Sequence, residues 1–174
     1  VSREGDDEVA FADAQAELAR LLARHAAGDR SGRVLAMIPV VVLNMHYSGL
    51  GIARSLAPHG VPVFGLSSSR GFPGNRSRYC TYVPSPDSLL EPEALCEFLL
   101  RFADRCAERP ILLPTRDHDI EFLLRHRDVL EQKFRIPLAP APVVEAAMNK
   151  DACFEVAARC GISLPRTFTV RDSA

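Results

Sequence analysis

Residues 40–66 read VVVLNMHYSGLGIARSLAPHGVPVFGL, and this stretch decides the fold. Its apolar, β-branched start predicts a buried parallel strand, because strands covered on both faces carry continuous apolar residues. A polar turn with glycines follows, then a helix-like stretch over residues 50–56 that stops near Pro58 and Gly60. A second apolar run at residues 61–66 completes the pattern. This strand–helix–strand order predicts a βαβ unit, the building block of many nucleotide-binding folds.

The same alternation continues along the chain. Further strands are predicted at residues 79–83, 111–113, 136–138 and 166–170, and further helices at residues 91–106, 117–129 and from Cys153 to a stop at Gly161. We therefore expect an α/β fold, a Rossmann-like open and mainly parallel sheet with helices on both faces. An apolar stripe over residues 11–25 predicts an amphipathic helix before the first strand, so residues 1–37 are interpreted as an N-terminal helical appendage.

The composition is that of an ordinary globular chain. Its 174 residues suffice for one domain with a core and a short appendage. The net charge of −1 favours no nucleic-acid partner. No apolar run reaches membrane-spanning length, and the acidic N-terminus does not resemble a signal peptide. The five cysteines form no CxxC pair, so we expect buried thiols in a reducing cytoplasm, and the histidines lack metal-ligand spacing.

The glycine turn, Ser48-Gly49-Leu50-Gly51, has a functional and a structural interpretation. Glycines let the backbone approach an anion, and the helix N-terminus supplies unpaired N–H groups. The full dinucleotide fingerprint, however, needs a third glycine where Arg54 stands, and an acidic residue where Ser67 and the next serines follow the second strand. A serine- and arginine-rich loop would accept a phosphorylated ribose, so NADP stays open. A tight strand–helix corner is the favoured interpretation.

A second loop, with Thr115, Arg116 and Asp117, follows the apolar run at residues 111–113. In an open parallel sheet, ligands gather at the carboxyl ends of the strands. Arg116 is suited to bind a carboxylate or phosphate through two parallel hydrogen bonds. The structural alternative is that Thr115 or Asp117 caps the next helix and Arg116 is solvated. His118 has no nucleophile beside it in the sequence, so no catalytic triad is indicated.

Three stretches together resemble the N-terminal part of an ATP-grasp ligase of the carboxylate–amine ligase, or D-aspartate ligase-like, type. They are SGLGIARSLAPHGVPVFGL at residues 48–66, ILLPTRDHDIEFLLRHRDVLE at residues 111–131 and MNKDACFEVAARCGISLPRTFTV at residues 148–170. The last is the most specific, since family members carry an Asp-Lys pair, a helix, a Gly-Ile/Val-x-x-Pro turn and a strand. Here Asn149 replaces the usual aspartate before Lys150, and Gly161 begins the turn. The resemblance spans about residues 38–172.

The resemblance implies a pre-ATP-grasp domain at residues 38–148 and the beginning of an ATP-grasp domain at residues 149–174. It implies that ATP phosphorylates a small-molecule carboxylate and that an amine attacks the acyl phosphate. Lys150 would contact the ATP phosphates. Ser48, Gly49 and Gly51 would line the substrate cleft together with Thr115, Arg116 and Asp117. The Mg²⁺-binding carboxylates are expected after Val170, so these 174 residues are expected to be inactive alone, with no catalytic or metal-binding residue.

Two other interpretations stay open. One is a stand-alone Rossmann-like module that binds a nucleotide or NADP through the glycine turn. The other is a docking domain whose N-terminal helix, with Phe11, Leu18 and Leu22 on one face, contacts a partner or a second copy of the chain. The sequence does not decide between a monomer and a homodimer.

Overall fold

A four-stranded parallel sheet forms the centre of the fold. The computed structural model describes residues 38–166. The strands are β1 (Val40–Leu43), β2 (Val63–Ser67), β3 (Thr81–Pro84) and β4 (Ile111–Leu113). Their order in the sheet is β3-β2-β1-β4, and every neighbouring pair is parallel. The predicted α/β fold with an open parallel sheet is therefore confirmed.

The described residues form six helices, of which the first two connect strands of the sheet. They are α1 (Tyr47–Leu56), α2 (Pro92–Ala103), α3 (Asp117–Arg125), α4 (Arg127–Leu130), α5 (Ala141–Met148) and α6 (Lys150–Arg159). Short 3₁₀ turns lie at Ala57–His59 and Pro73–Arg76. Parallel neighbours need such crossovers, because a short hairpin joins only antiparallel strands.

The core surrounds β1, whose four residues are all buried. In register with it, Val41 lies beside Phe64 of β2 and Leu112 of β4. The apolar stripe of α2 covers part of this core, and the rings of Phe64 and Phe102 meet edge to face with centroids 5.4 Å apart. Burial on both faces explains why β1 is continuously apolar instead of alternating.

Several predictions of helices and strands differ from the structure, and three of these differences have a local cause. The helix predicted from residue 50 begins at Tyr47, since the N–H of Leu50 already donates to the carbonyl of His46. The helix predicted over residues 117–129 is interrupted at His126, which has non-helical backbone angles. The predicted strand at residues 136–138 is absent, and only Arg135 forms an isolated bridge to Ile111. Pro137 has no N–H to continue the ladder there.

The described residues divide into two compact units, with the boundary between residues 137 and 138. The sheet belongs to the first unit, and α5 and α6 belong to the second. The predicted N-terminal helix and most of the predicted strand at residues 166–170 lie outside the described residues. Among residues 38–166, no helix is long and apolar enough to cross a membrane. Cys96 is buried as expected and Cys80 and Cys106 are half-buried, but the expectation is wrong for Cys153 and Cys160, which are exposed.

Candidate functional site

A small polar cleft lies at the carboxyl edge of the sheet. Because all four strands are parallel, the loops that leave their carboxyl ends meet there. The cleft is lined by residues from the ends of β1 and β2, the loop after β3, α2, the turn before α3 and the first turn of α3. They are Leu43, Asn44, Leu66, Ser67, Ser68, Ser85, Pro86, Asp87, Ser88, Leu95, Arg116 and Asp119. Its charged side chains are one guanidinium and two carboxylates, so it carries a surplus negative charge.

Asp119 is the buried centre of this site, with a side chain only 1% exposed. Its Oδ2 accepts hydrogen bonds from the backbone N–H groups of Thr115 at 3.2 Å and Arg116 at 3.0 Å. Its Oδ1 accepts from the hydroxyl of Ser88 at 2.6 Å and from Nη2 of Arg116 at 2.8 Å. The carboxylate thus satisfies two backbone N–H groups that lie just before α3, and it also joins α3 to the loop after β3.

Arg116 connects both carboxylates of the cleft. Its Nη2 lies 3.2 Å from Oδ2 of Asp87 and 3.0 Å from the hydroxyl of Ser88, in addition to the contact with Asp119. Burial opposes the charged form, but hydrogen bonds and charges from Asp119 and Asp87 outweigh it and raise the pKa of Arg116. Within residues 38–166 no hydrogen bond is made by Nη1, and the side chain is 32% exposed. One nitrogen of a rigidly held guanidinium therefore stays accessible.

Asp87 closes the other side of this network. Its Oδ1 accepts from the backbone N–H groups of Leu89 at 2.9 Å and Leu90 at 3.4 Å, while its Oδ2 also accepts from the hydroxyl of Ser68 at 3.2 Å. Desolvation would raise its pKa. The backbone N–H groups and Arg116 outweigh that effect and hold the pKa of Asp87 below its ordinary value.

Thr115 fastens the turn after β4 to the end of β1. Its hydroxyl donates to the carbonyl oxygen of Leu43 at 2.8 Å and lies 3.2 Å from that of Asn44. The hydroxyl has a single proton, and these backbone oxygens occupy it. In the structure, Thr115 supports the site without lining the cleft.

Asn44 is the residue at which the chain leaves β1, and it is held in an unusual conformation. Its φ of 65° places it in the left-handed region, which asparagine tolerates better than most residues do. Its backbone N–H donates to the carbonyl of Leu66 at 2.8 Å, and its Oδ1 accepts from the N–H of His46 at 3.0 Å. This sharp turn lets α1 begin only three residues after Asn44.

The residues of the glycine turn lie within α1 and do not line the cleft. Gly49 is buried where α1 crosses the end of β1, and a Cβ atom there would be 2.3 Å from the carbonyl oxygen of Asn44. Only glycine allows this close approach of backbone to backbone. Ser48 and Gly51 are exposed, and a Cβ on Gly51 would meet open space.

Of the substrate residues predicted from the sequence, Arg116 alone is among those that line the cleft. Asp117 is exposed at the first position of α3. Sequence reasoning missed Asn44, Asp87, Ser88 and Asp119 as members of the site. Asn44 directly follows an apolar strand and was therefore detectable, whereas Asp87 and Ser88 carry no local signal.

Lys150 belongs to the second unit, where it is the exposed first residue of α6. Asn149 caps this helix, because its Oδ1 accepts from the N–H groups of Asp151 at 3.0 Å and Ala152 at 3.1 Å. Gly161, with a φ of 72°, follows the helix at its other end. An asparagine serves as N-cap about as well as the aspartate of the family pattern.

No protein-family model matches this chain, and no curated protein shows significant sequence similarity to it.

Proposed function

We propose that this chain is the substrate-side portion of an ATP-dependent carboxylate–amine ligase of the ATP-grasp type, which joins a small carboxylate to an amine through an acyl phosphate. The observation that carries the proposal is the cleft at the carboxyl edge, with the Nη1 of Arg116 accessible beside it. A guanidinium is the side chain best suited to hold a carboxylate in a defined orientation.

The support of Arg116 fits a role in positioning substrate. Asp119 and Asp87 fix the guanidinium from two sides, so little side-chain entropy would be lost when a ligand binds to it. Both aspartates also reduce the net attraction of the site for anions. Arg116 would therefore orient a substrate that carries a compensating positive charge better than it would a simple dianion.

The second unit adds independent support, because its secondary structure follows the pattern that the resemblance implies. A capped helix begins at Lys150, and Gly161 ends it. The N-terminus of a helix attracts anions, and the exposed ammonium of Lys150 adds to that attraction, which suits contact with a phosphate.

ATP would supply the phosphoryl group that activates the carboxylate, and Mg²⁺ would neutralise its charge. Within residues 38–166 no group of three His, Cys, Asp or Glu side chains is arranged to hold a metal ion. The share of the reaction proposed for these residues is to bind and orient the substrate.

A hydroxylamine assay on the complete gene product tests the proposal. Hydroxylamine traps an acyl phosphate as a hydroxamate, so a panel of carboxylates with ATP and Mg²⁺ should yield hydroxamate with one class of substrate. Arg116→Ala should raise the KM for that carboxylate and leave the KM for ATP unchanged. Lys150→Ala should raise the KM for ATP and leave the KM for the carboxylate unchanged. An unchanged carboxylate KM in Arg116→Ala would refute the assigned role.

Titration of the 174-residue chain with NADP tests the alternative class. Under the ligase proposal NADP does not bind through the Ser48–Gly51 stretch, because Gly49 packs directly against the backbone of Asn44. Tight NADP binding that is lost in Arg54→Glu would contradict the ligase proposal and favour a dinucleotide-binding module.

A further inference from the structure

Asn44 combines deep burial with an unused hydrogen-bond donor. The residue is 6% exposed and lines the cleft. Its Oδ1 accepts from the N–H of His46, and this bond fixes the orientation of the amide, since only the oxygen can accept. The remaining end is the Nδ2 group, which carries two N–H donors. Within residues 38–166 it makes no hydrogen bond, although it is not shut off from solvent.

Nδ2 is therefore a solvent-accessible donor on a side chain that is otherwise buried and whose oxygen is already occupied, so it is available to a ligand. Asn44 is additionally held at a positive φ. Residues in sparsely populated backbone conformations occur often at binding sites, where the surrounding structure holds them in place. Here the bonds of Asn44 to Leu66, His46 and Thr115 provide that support.

The charges around Asn44 restrict what can bind. Asp87 and Asp119 face a single guanidinium in the cleft, so an anion would enter against surplus negative charge. The carboxylate oxygens of Asp87 and Asp119 already accept several hydrogen bonds from the protein. The groups of the cleft that are available to a ligand are therefore mainly hydrogen-bond donors. A molecule with an acceptor oxygen and no net negative charge meets both conditions.

We propose that Asn44 is a ligand-binding residue, whose Nδ2 donates a hydrogen bond to an acceptor oxygen of a small polar molecule without net charge, either neutral or zwitterionic, in the cleft. This role makes no use of ATP or Lys150, and it holds for whichever reaction the protein performs. It would let the cleft discriminate against anions of the same size.

The test uses three probes of similar size, glycine, acetamide and acetate, titrated into the ¹⁵N-labelled 174-residue chain. The side-chain amide signal of Asn44 is assigned by its loss in Asn44→Asp. We expect glycine and acetamide to shift this signal with saturation, and acetate to bind several-fold more weakly. A signal that none of the probes shifts would overturn the proposal, as would acetate binding as tightly as glycine.

Two variants of Asn44 test whether a loss of binding comes from the missing Nδ2 donor or from a change in the fold. Asn44→Asp keeps an acceptor for the N–H of His46 and tolerates the positive φ but removes the donor, and Asn44→Gly removes the donor without adding charge. Both should weaken glycine binding about three- to tenfold, the loss expected for one hydrogen bond. Asn149→Asp is the matched control, because Asn149 also accepts from the N–H two residues ahead. Unchanged binding in either Asn44 variant with a dispersed, folded spectrum would overturn the proposal.

Discussion

Two glycines of α1, Gly49 and Gly51, should respond to the same substitution with opposite sign. In a helix interior, replacing an exposed glycine by alanine stabilises by about 1 kcal/mol, because the backbone loses less entropy on folding. At Gly51 a Cβ atom would have no neighbour within 4 Å, so Gly51→Ala should raise the free energy of unfolding by this full amount.

At Gly49 the same methyl group would lie 2.3 Å from the carbonyl oxygen of Asn44 and 3.2 Å from Sδ of Met45. The oxygen belongs to backbone that Leu66 and Thr115 hold in place, so it cannot move away cheaply. Overpacking of this kind costs about 1–3 kcal/mol, and contact with fixed backbone belongs at the upper end of that range. We therefore expect Gly49→Ala to destabilise the protein and to differ from Gly51→Ala by at least about 2 kcal/mol.

Urea denaturation followed by tyrosine fluorescence measures this difference. The chain has no tryptophan, and its three tyrosines, Tyr47, Tyr79 and Tyr82, all lie in the unit that contains the sheet. The signal therefore reports the unfolding of that unit, and a shift of midpoint at constant slope gives the change in free energy of unfolding. If Gly49→Ala were as stable as Gly51→Ala, the close approach of α1 to the end of β1 would be refuted.

Three further predictions concern the cleft and the thiols. Asp119→Asn should lower the free energy of unfolding by about 3–5 kcal/mol in the same urea assay, because it breaks a buried ion pair. Asp87→Asn should lower it less, because the side chain of Asp87 is 12% exposed. Equal losses in the two variants would contradict the central place of Asp119. Since the folded-state pKa of Asp87 is lowered from 3.8, its stabilising effect is present above that value and is lost as the pH falls through the folded-state pKa. Asp87→Asn should therefore flatten the acid-induced loss of stability, and an unchanged pH profile would argue against the contact with Arg116. Burial raises the pKa of Cys106 to about 11, so iodoacetamide at pH 8 should modify Cys153 and Cys160 in the folded protein and spare Cys106, as mass spectrometry of peptides can show.

The fold was predictable because its signals are local. A continuous apolar run at residues 40–43 identifies a strand buried on both faces, and the stripe of residues 95–102 identifies the helix that covers it. The errors at helix and strand ends also have local causes. The positive φ of Asn44 lets α1 begin before the predicted residue 50, and the non-helical backbone of His126 interrupts the helix predicted over residues 117–129. Pro137 prevents the strand predicted over residues 136–138.

The site was predictable only in part. Arg116 was identified because it follows a strand whose carboxyl end must face the ligand-binding edge. The sequence did not reveal that Thr115 holds the turn after β4 against the end of β1, because its hydroxyl donates to the carbonyl of Leu43, 72 residues away in the chain. The resemblance to ATP-grasp ligases and the ATP contact of Lys150 stay predictions. So do the substrate roles assigned to Ser48, Gly49, Gly51, Thr115, Arg116 and Asp117.

The sequence by itself determined the parallel α/β architecture, because the spacing of apolar residues specifies which segments form strands and helices and which faces they bury. Only the tertiary structure decided which polar groups share the cleft. Ser88 meets Asp119 across 31 residues, and Asp87 meets Arg116 across 29. No periodicity encodes such pairs. They arise because parallel strands bring the loops at their carboxyl ends to one edge of the sheet, where charge, burial and hydrogen bonding then select the partners.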